Sequence, residues 1–251
     1  MAKIDILGVK INNESRGEML EKIVRMASTA DKKGYIVTPN PEFIVKAQKD
    51  KNFADILNEA DFSVPDGIGL VWAAKLFYGQ KKAPRKRITG VDLMADICQI
   101  AGKKGWSIFL LGAKEGVADK CARKLEKKYG LRVLGTYSGW ADKSWDKKTR
   151  QIIREKIGLR KCHFIFVAYG AGKQEHWIKR NLDKIPVKMG MGVGGAFDFL
   201  SGEVKRAPKL FRKLGLEWLW RLIKEPWRWR RQTALPKFVF LVIKKKFFEK
   251  N

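Results

Sequence analysis

Two short runs, IFLLG at 108–112 and HFIFVAYG at 163–170, constrain the fold most, because they are apolar at nearly every position. A strand that is apolar on both faces must be covered on both, and such strands belong to parallel sheets with helices above and below. The same rhythm runs along much of the chain. Strand-like segments at 35–38, 62–64, 106–112, 132–136 and 163–169 alternate with helical spacing at 42–58, 67–77, 115–129, 147–157 and 174–182. The expected fold is α/β: a Rossmann-like, mainly parallel sheet flanked by helices, with ligands gathered beyond the carboxyl ends of the strands.

With 251 residues, 45% of them hydrophobic, the chain can bury a full α/β core. Its composition changes near residue 202. Residues 201–251 carry 15 Lys and Arg, four acids and four of the nine tryptophans, so the pattern divides the chain into an α/β catalytic domain at 1–201 and a helical, basic, aromatic appendage at 202–251. The formal net charge of +27 calls for a polyanionic partner: nucleic acid, anionic lipid headgroups or a phosphorylated substrate. No apolar stretch approaches the roughly 20 residues needed to span a bilayer, and the first 18 residues lack the continuous apolar core of a signal peptide. A cytoplasmic protein that lies on a membrane surface is expected. Cys98, Cys121 and Cys162 lack ligand or disulfide spacing and read as buried thiols, and no metal site or cofactor is expected.

Five segments offer polar chemistry at strand ends. In TPNPE (38–42) Thr38 precedes the first proline and Asn40 sits between the two, where they face a cleft or simply cap a helix. Asp66 in PDGIG (65–69) is held by a constrained backbone, as a rim carboxylate or as a turn residue. Arg85 and Arg87, before ITGVDL, are cations suited to a diphosphate or to a solvated loop. The turn at 168–175, with Gln174, presents backbone amides at a helix N-terminus. GVGGAFDF (192–199) combines close-approach glycines with Asp198.

In this order, with FLLGAKEGVA, VAYGAGKQEHWI and RAPKLFRKLGLEWLWRLIKEP, these motifs resemble the WecG/TagA/CpsF family of glycosyltransferases, and its TagA-like members in particular. The resemblance covers the chain from about Ile6 to Gln232. It implies inverting transfer of N-acetylmannosamine from a UDP-sugar donor to the 4-hydroxyl of N-acetylglucosamine on undecaprenyl diphosphate, in making the linkage unit of wall teichoic acid. Carried over by position, it implies Asp66 as general base, Thr38 and Asn40 near the sugar, Arg87 at the leaving group, Gln174 as a substrate contact and Asp198 as a uridine contact. It further implies that Arg221, Arg228 and Arg231 complete the site when the appendage meets the inner face of the membrane. The motif at 172–175 reads Gly where many relatives have Pro, which loosens the turn before Gln174.

The residues fit such a reaction without a metal, since no Asp-X-Asp triplet occurs and cationic side chains can offset the charge on departing UDP. Arg221, Lys224, Arg228 and Arg231 share a face if one helix runs past Pro226; alternatively Pro226 begins a second helix. Aromatic residues interleaved with Lys and Arg suit an anionic membrane surface, and the same apolar surface suits a homo-oligomer. A nucleic-acid binder is the rival that charge permits, though no helix-turn-helix, zinc or RNP pattern accompanies it, and no nucleic-acid partner is expected. A noncatalytic membrane scaffold is the second rival, for which the strand-end motifs would be turns.

Overall fold

The computed structural model describes residues 3–29, 32–84 and 86–248. A hairpin of β1 (Lys3–Ile6) and β2 (Val9–Asn12) turns at Leu7 and Gly8. Helix α1 (Arg16–Ser28) follows, started by a capping box between Ser15 and Glu18. Next come β3 (Gly34–Val37), α2 (Pro41–Ala47), α3 (Lys51–Glu59), β4 (Phe62–Ser63), α4 (Ile68–Lys82) and α5 (Gly90–Lys103). The alternation continues with β5 (Ser107–Gly112), α6 (Val117–Tyr129), β6 (Arg132–Tyr137), α7 (Asp146–Ile157), β7 (Cys162–Ala168), α8 (Lys173–Asn181) and β8 (Val187–Gly192). The chain then runs through α9 (Ala196–Leu200), α10 (Lys209–Lys213), α11 (Glu217–Lys224), α12 (Trp229–Gln232) and α13 (Ala234–Phe247).

Strands β3 to β8 form one all-parallel sheet in the order β4-β3-β8-β7-β5-β6, which is the expected fold class. Strands β5 and β7 are buried along their whole length. Their side chains alternate between two cores: Phe109, Leu111, Ile165 and Val167 face one, and Ile108, Leu110, Phe164 and Phe166 the other. The first core is closed by α2, α3, α4, α7, α8 and the β1–β2 hairpin, the second by α1, α5, α6 and α9. The chain therefore leaves β3 toward one face, through α2, and leaves the adjacent β8 toward the other, through α9. That divergence is the topology at which open α/β sheets place a ligand crevice, at the carboxyl ends of these two strands.

Several details depart from the sequence pattern. The single helix expected at 42–58 is two, because the chain turns at Gln48–Lys49 and Asp50 recaps it by accepting from Phe53 N. The loop expected at 80–87 begins later: Gln80–Lys82 still belong to α4, beyond a kink at Gly79, whose φ is +73°. The hairpin, α1, α5 and β8 have no counterpart in the pattern. Two glycines within VKMGMG weaken the β signature of β8. One helix does not continue past Pro226. Helix α11 ends at Lys224, and Pro226 opens a short 3-10 turn before α12, the alternative arrangement.

The last helix packs on the body of the fold. Phe238 (1% exposed) and Val242 (0%) of α13 enter the first core beside α2. Its other side leaves Phe240, Phe247 and Phe248 largely exposed among Lys237, Lys244 and Lys246. Among the described residues no helix is long and apolar enough to cross a membrane.

Candidate active site

The crevice is built from backbone hydrogen bonds between strand exits. Val64 N donates to Val37 O, and Asp66 N donates to Pro39 O at 2.8 Å, so the TPNPE and PDGIG turns lie side by side. Asn40 caps α2, its Oδ1 accepting from Phe43 N at 3.1 Å, which is the capping role its residue type allows. Gly67 follows Asp66 with φ +120°, a conformation that L side chains rarely adopt, so the Asp-Gly order fixes where the carboxylate can stand. The 87–90 loop closes on it: Ile88 N donates to Pro65 O, and Gly90 N, in the first turn of α5, donates to Asp66 Oδ2 at 3.0 Å. A Cβ on Gly90 would lie 3.4 Å from Thr38 Oγ1 and 3.6 Å from Asp66 Oδ2, so Thr38, Asp66 and Gly90 meet at one point.

Burial pushes the Asp66 carboxyl up from 3.8 to about 6, against the pull of the Gly90 amide and the charge of Arg87. Glu217 and Asp92 add to the upward push. A carboxyl shifted this far by burial at a strand end marks a candidate functional group.

Arg87 is oriented by the C-terminal helices. Its Nη2 donates to Glu217 Oε2 at 2.9 Å and to Arg212 O at 2.8 Å. Arg206 donates to Asp92 Oδ1 at 2.6 Å and to Glu217 Oε1 at 3.1 Å. Burial works against the charge of Asp92, but the bonds from Arg206 and Thr89 outweigh it and hold that carboxyl below its usual range. Arg85 lies outside the described residues; the contacts described for the basic loop here are those of Arg87.

On the β8 side, Gln174 is buried (2% exposed) and joins two turns: its Oε1 accepts from Gly194 N at 2.9 Å and its Nε2 donates to Glu175 Oε1 at 2.7 Å. Glu175 is fully buried, which raises its carboxyl to about 7 even though the Gln174 amide, the Gly172 N–H and nearby Lys46 favour the charged form. Asp198 opens α9, and a Cβ on Gly195 would stand 3.2 Å from Asp198 Oδ2 and 3.4 Å from both terminal nitrogens of Arg221. Arg221 also lies over the Phe199 ring at 4.9 Å, and its Nε is buried without a hydrogen-bond partner among the described residues.

Arg231 sits on another flank, paired bidentately with Glu42 of α2 at 2.7–3.1 Å. The side chain of Arg228 lies outside the described residues. Thr38, Asp66 and Arg87 thus gather around the 87–90 loop, Gln174, Asp198 and Arg221 around the turn after β8, and Arg231 over the start of α2. The sequence pattern gives no role to Glu217, Arg206, Asp92 or Glu175. Asp92 and Glu175 had local signals, each standing at the N3 position of a helix start, Thr89-x-x-Asp92 and Gly172-x-x-Glu175. A basic groove of about 490 Å³, lined in part by Lys147, Arg150, Arg154 and Lys184, lies toward the opposite ends of the strands, away from this crevice.

The fold is a Rossmann-like α/β architecture, and the candidate site residues gather at the carboxyl edge of its parallel sheet. A model of the glycosyl transferase WecG/TagA/CpsF family matches residues 4–251, and the chain belongs to that family. It is 36% identical over 217 residues (86% of this chain, 80% of the relative) to the N-acetylglucosaminyldiphosphoundecaprenol N-acetyl-beta-D-mannosaminyltransferase of Bacillus subtilis strain 168. It is 33% identical over 246 residues (98% and 94%) to the protein of the same name from Staphylococcus aureus strain MRSA252.

Proposed function

We propose that this glycosyltransferase moves N-acetylmannosamine from UDP-N-acetylmannosamine to the 4-hydroxyl of N-acetylglucosamine on undecaprenyl diphosphate, in assembly of the wall teichoic acid linkage unit. The names of the relatives support the acceptor and the sugar. The observation that carries the mechanism is the meeting of Thr38, Asp66 and Gly90 at adjacent strand ends, with the Asp66 carboxyl at about 6.

In the reaction, the acceptor oxygen attacks the anomeric carbon of the donor and gives its proton to Asp66. The bond from that carbon to the β-phosphate oxygen breaks on the far side, which inverts the configuration, and UDP leaves with the electron pair. Arg87 and Arg221 offset the charge that develops on UDP. Fixed cations are effective there because they need no reorganisation as the charge appears. The guanidinium of Arg221 pairs with Glu225 through Nη2 at 3.4 Å, while its buried Nε, near Asp198, has no hydrogen-bond partner among the described residues, which supports a binding place for the anionic part of the donor. Gln174 is read as shaping the floor through the turns it joins.

Residues 202–251 are read as the membrane-facing part of the molecule, at the inner face of the cell membrane. Exposed Trp227, Trp229, Phe240, Phe247 and Phe248 lie among lysines and arginines, a mixture suited to anionic headgroups. Arg231, paired with Glu42, ties that surface to the TPNPE turn. The test is acceptor-dependent release of UDP from UDP-N-acetylmannosamine, in vesicles with lipid-diphosphate-linked N-acetylglucosamine and EDTA present. Turnover under those conditions is expected. Activity only with a different UDP sugar would replace the donor, and activity that needs an added divalent ion would overturn the cationic mechanism.

A further inference from the structure

Among the described residues, two arginines and two acids alternate across the junction between the C-terminal helices and the loop before α5: Arg87, Glu217, Arg206 and Asp92. Glu217 lies on α11 and Arg206 in the segment before α10; Arg87 and Asp92 flank the start of α5. Each carboxylate accepts from Arg206, and Glu217 accepts from Arg87 as well. All four side chains are 15–33% exposed, so the set is better shielded than an ordinary surface pair and its charges cancel.

We propose that Glu217 is a positioning residue for the transfer: from α11 it fixes the Arg87 guanidinium and, through Arg206 and Asp92, locks the C-terminal helices to the loop that holds Asp66. The proposal rests on the roles given above to Arg87 and Asp66. Three observations carry it. First, both bonds that fix Arg87 come from one nitrogen, Nη2, so Nη1 and Nε keep no protein partner among the described residues and can still face a phosphate. Second, an arginine side chain is long and rotamer-rich, and a guanidinium aimed beforehand stabilises developing charge without the ordering that a loose one requires. Third, the chain of bonds reaches the base. Asp92 Oδ2 accepts from Thr89 Oγ1 at 2.6 Å, Thr89 caps α5, and the next residue, Gly90, donates its N–H to Asp66. Docking of α11 and assembly of the site are then one event.

The test is a double-mutant cycle on the full chain, with UDP release measured in acceptor-loaded vesicles. Glu217→Gln keeps the shape and removes the charge. It is expected to lower kcat about tenfold, within the usual range for coupled neighbours, with little change in KM for the acceptor. In an Arg87→Ala background the same change should cost no more than about twofold, because its target is gone. Arg206→Lys, which keeps the charge but loses the fork, should show the same lack of additivity with Arg87→Ala and provides a second route if Glu217→Gln does not fold. Losses that multiply, while Arg87→Ala alone is impaired, would overturn the positioning role only. Full activity of Arg87→Ala would overturn the underlying reading of Arg87 and the proposal with it. A rise in activity on Glu217→Gln would make the acid a mask over Arg87 and also overturn the proposal.

Discussion

Replacing Asp66 by Asn should stop turnover and stabilise the fold, and the two effects have one cause. The Asp66 carboxyl titrates at about 6 in the folded protein against an ordinary 3.8, because burial penalises its charge. The native state therefore holds this proton more tightly than the unfolded chain. The linked stability is present below about pH 4 and is lost as pH rises through 6. The gap between 3.8 and about 6 corresponds to at most about 3 kcal/mol, and because Asp66 is only partly buried, about 1 to 2 kcal/mol is the expected share. Asn keeps an oxygen for the Gly90 amide and carries no charge. At pH 8 the variant should melt about 3 to 6 °C above the wild type, on the usual scale for a chain of this size, and at pH 4 the difference should vanish. UDP release should fall about 10²- to 10⁴-fold, the typical contribution of a general base, and the wild type's kcat/KM should decline below about pH 6 as the base is protonated. Thermal melts at the two pH values, beside a pH–rate profile, read all of this. A variant less stable than the wild type at pH 8, or a wild-type acid limb near pH 4, would refute the reasoning.

Other changes test the surroundings. Gly192→Ala would set a Cβ 2.6 Å from both Gln174 Nε2 and Glu175 Oε1, so it should destabilise the protein by about 1 to 3 kcal/mol and lower activity; an unchanged denaturation midpoint would refute the packing argument. Phe238→Ala should cost about 3 to 5 kcal/mol and expose α13 to limited proteolysis, and a helix that stays protected would show that Phe238 does not anchor it. Changing Phe240, Phe247 and Phe248 together to Ser should weaken binding to anionic vesicles at least about tenfold if their rings insert. Unaltered binding in a sedimentation assay would move the membrane contact elsewhere.

Much of the candidate site was legible because its residues lie at strand exits within short, punctuated motifs. Asp66 stands between Pro65 and Gly67, and Thr38 and Asn40 between or beside prolines, so local backbone chemistry alone marks them. Glu217 and Arg206 carry no such mark. Both fall within the RAPKLFRKLGLEWLWRLIKEP run, where turn chemistry singles out neither, and their partners are 130 and 114 residues away in the chain. Gln174 shows the reverse: its motif was plain, but only the fold shows both ends of its amide bonded to neighbouring turns.

By itself the sequence determined the fold class, since two runs apolar on both faces leave a covered parallel sheet as the natural way to bury them. It also determined the strand-end positions of Thr38, Asn40, Asp66 and Gln174, through turn chemistry that acts within a few residues. Tertiary structure alone decided that β3 and β8 are neighbours whose chains part to opposite faces, that Pro226 separates Arg221 from Arg231 onto different flanks, and that Glu217 takes hold of Arg87. Those outcomes depend on contacts between segments far apart in the chain, formed when the two cores close and α13 seats Phe238 and Val242, and no local pattern encodes them.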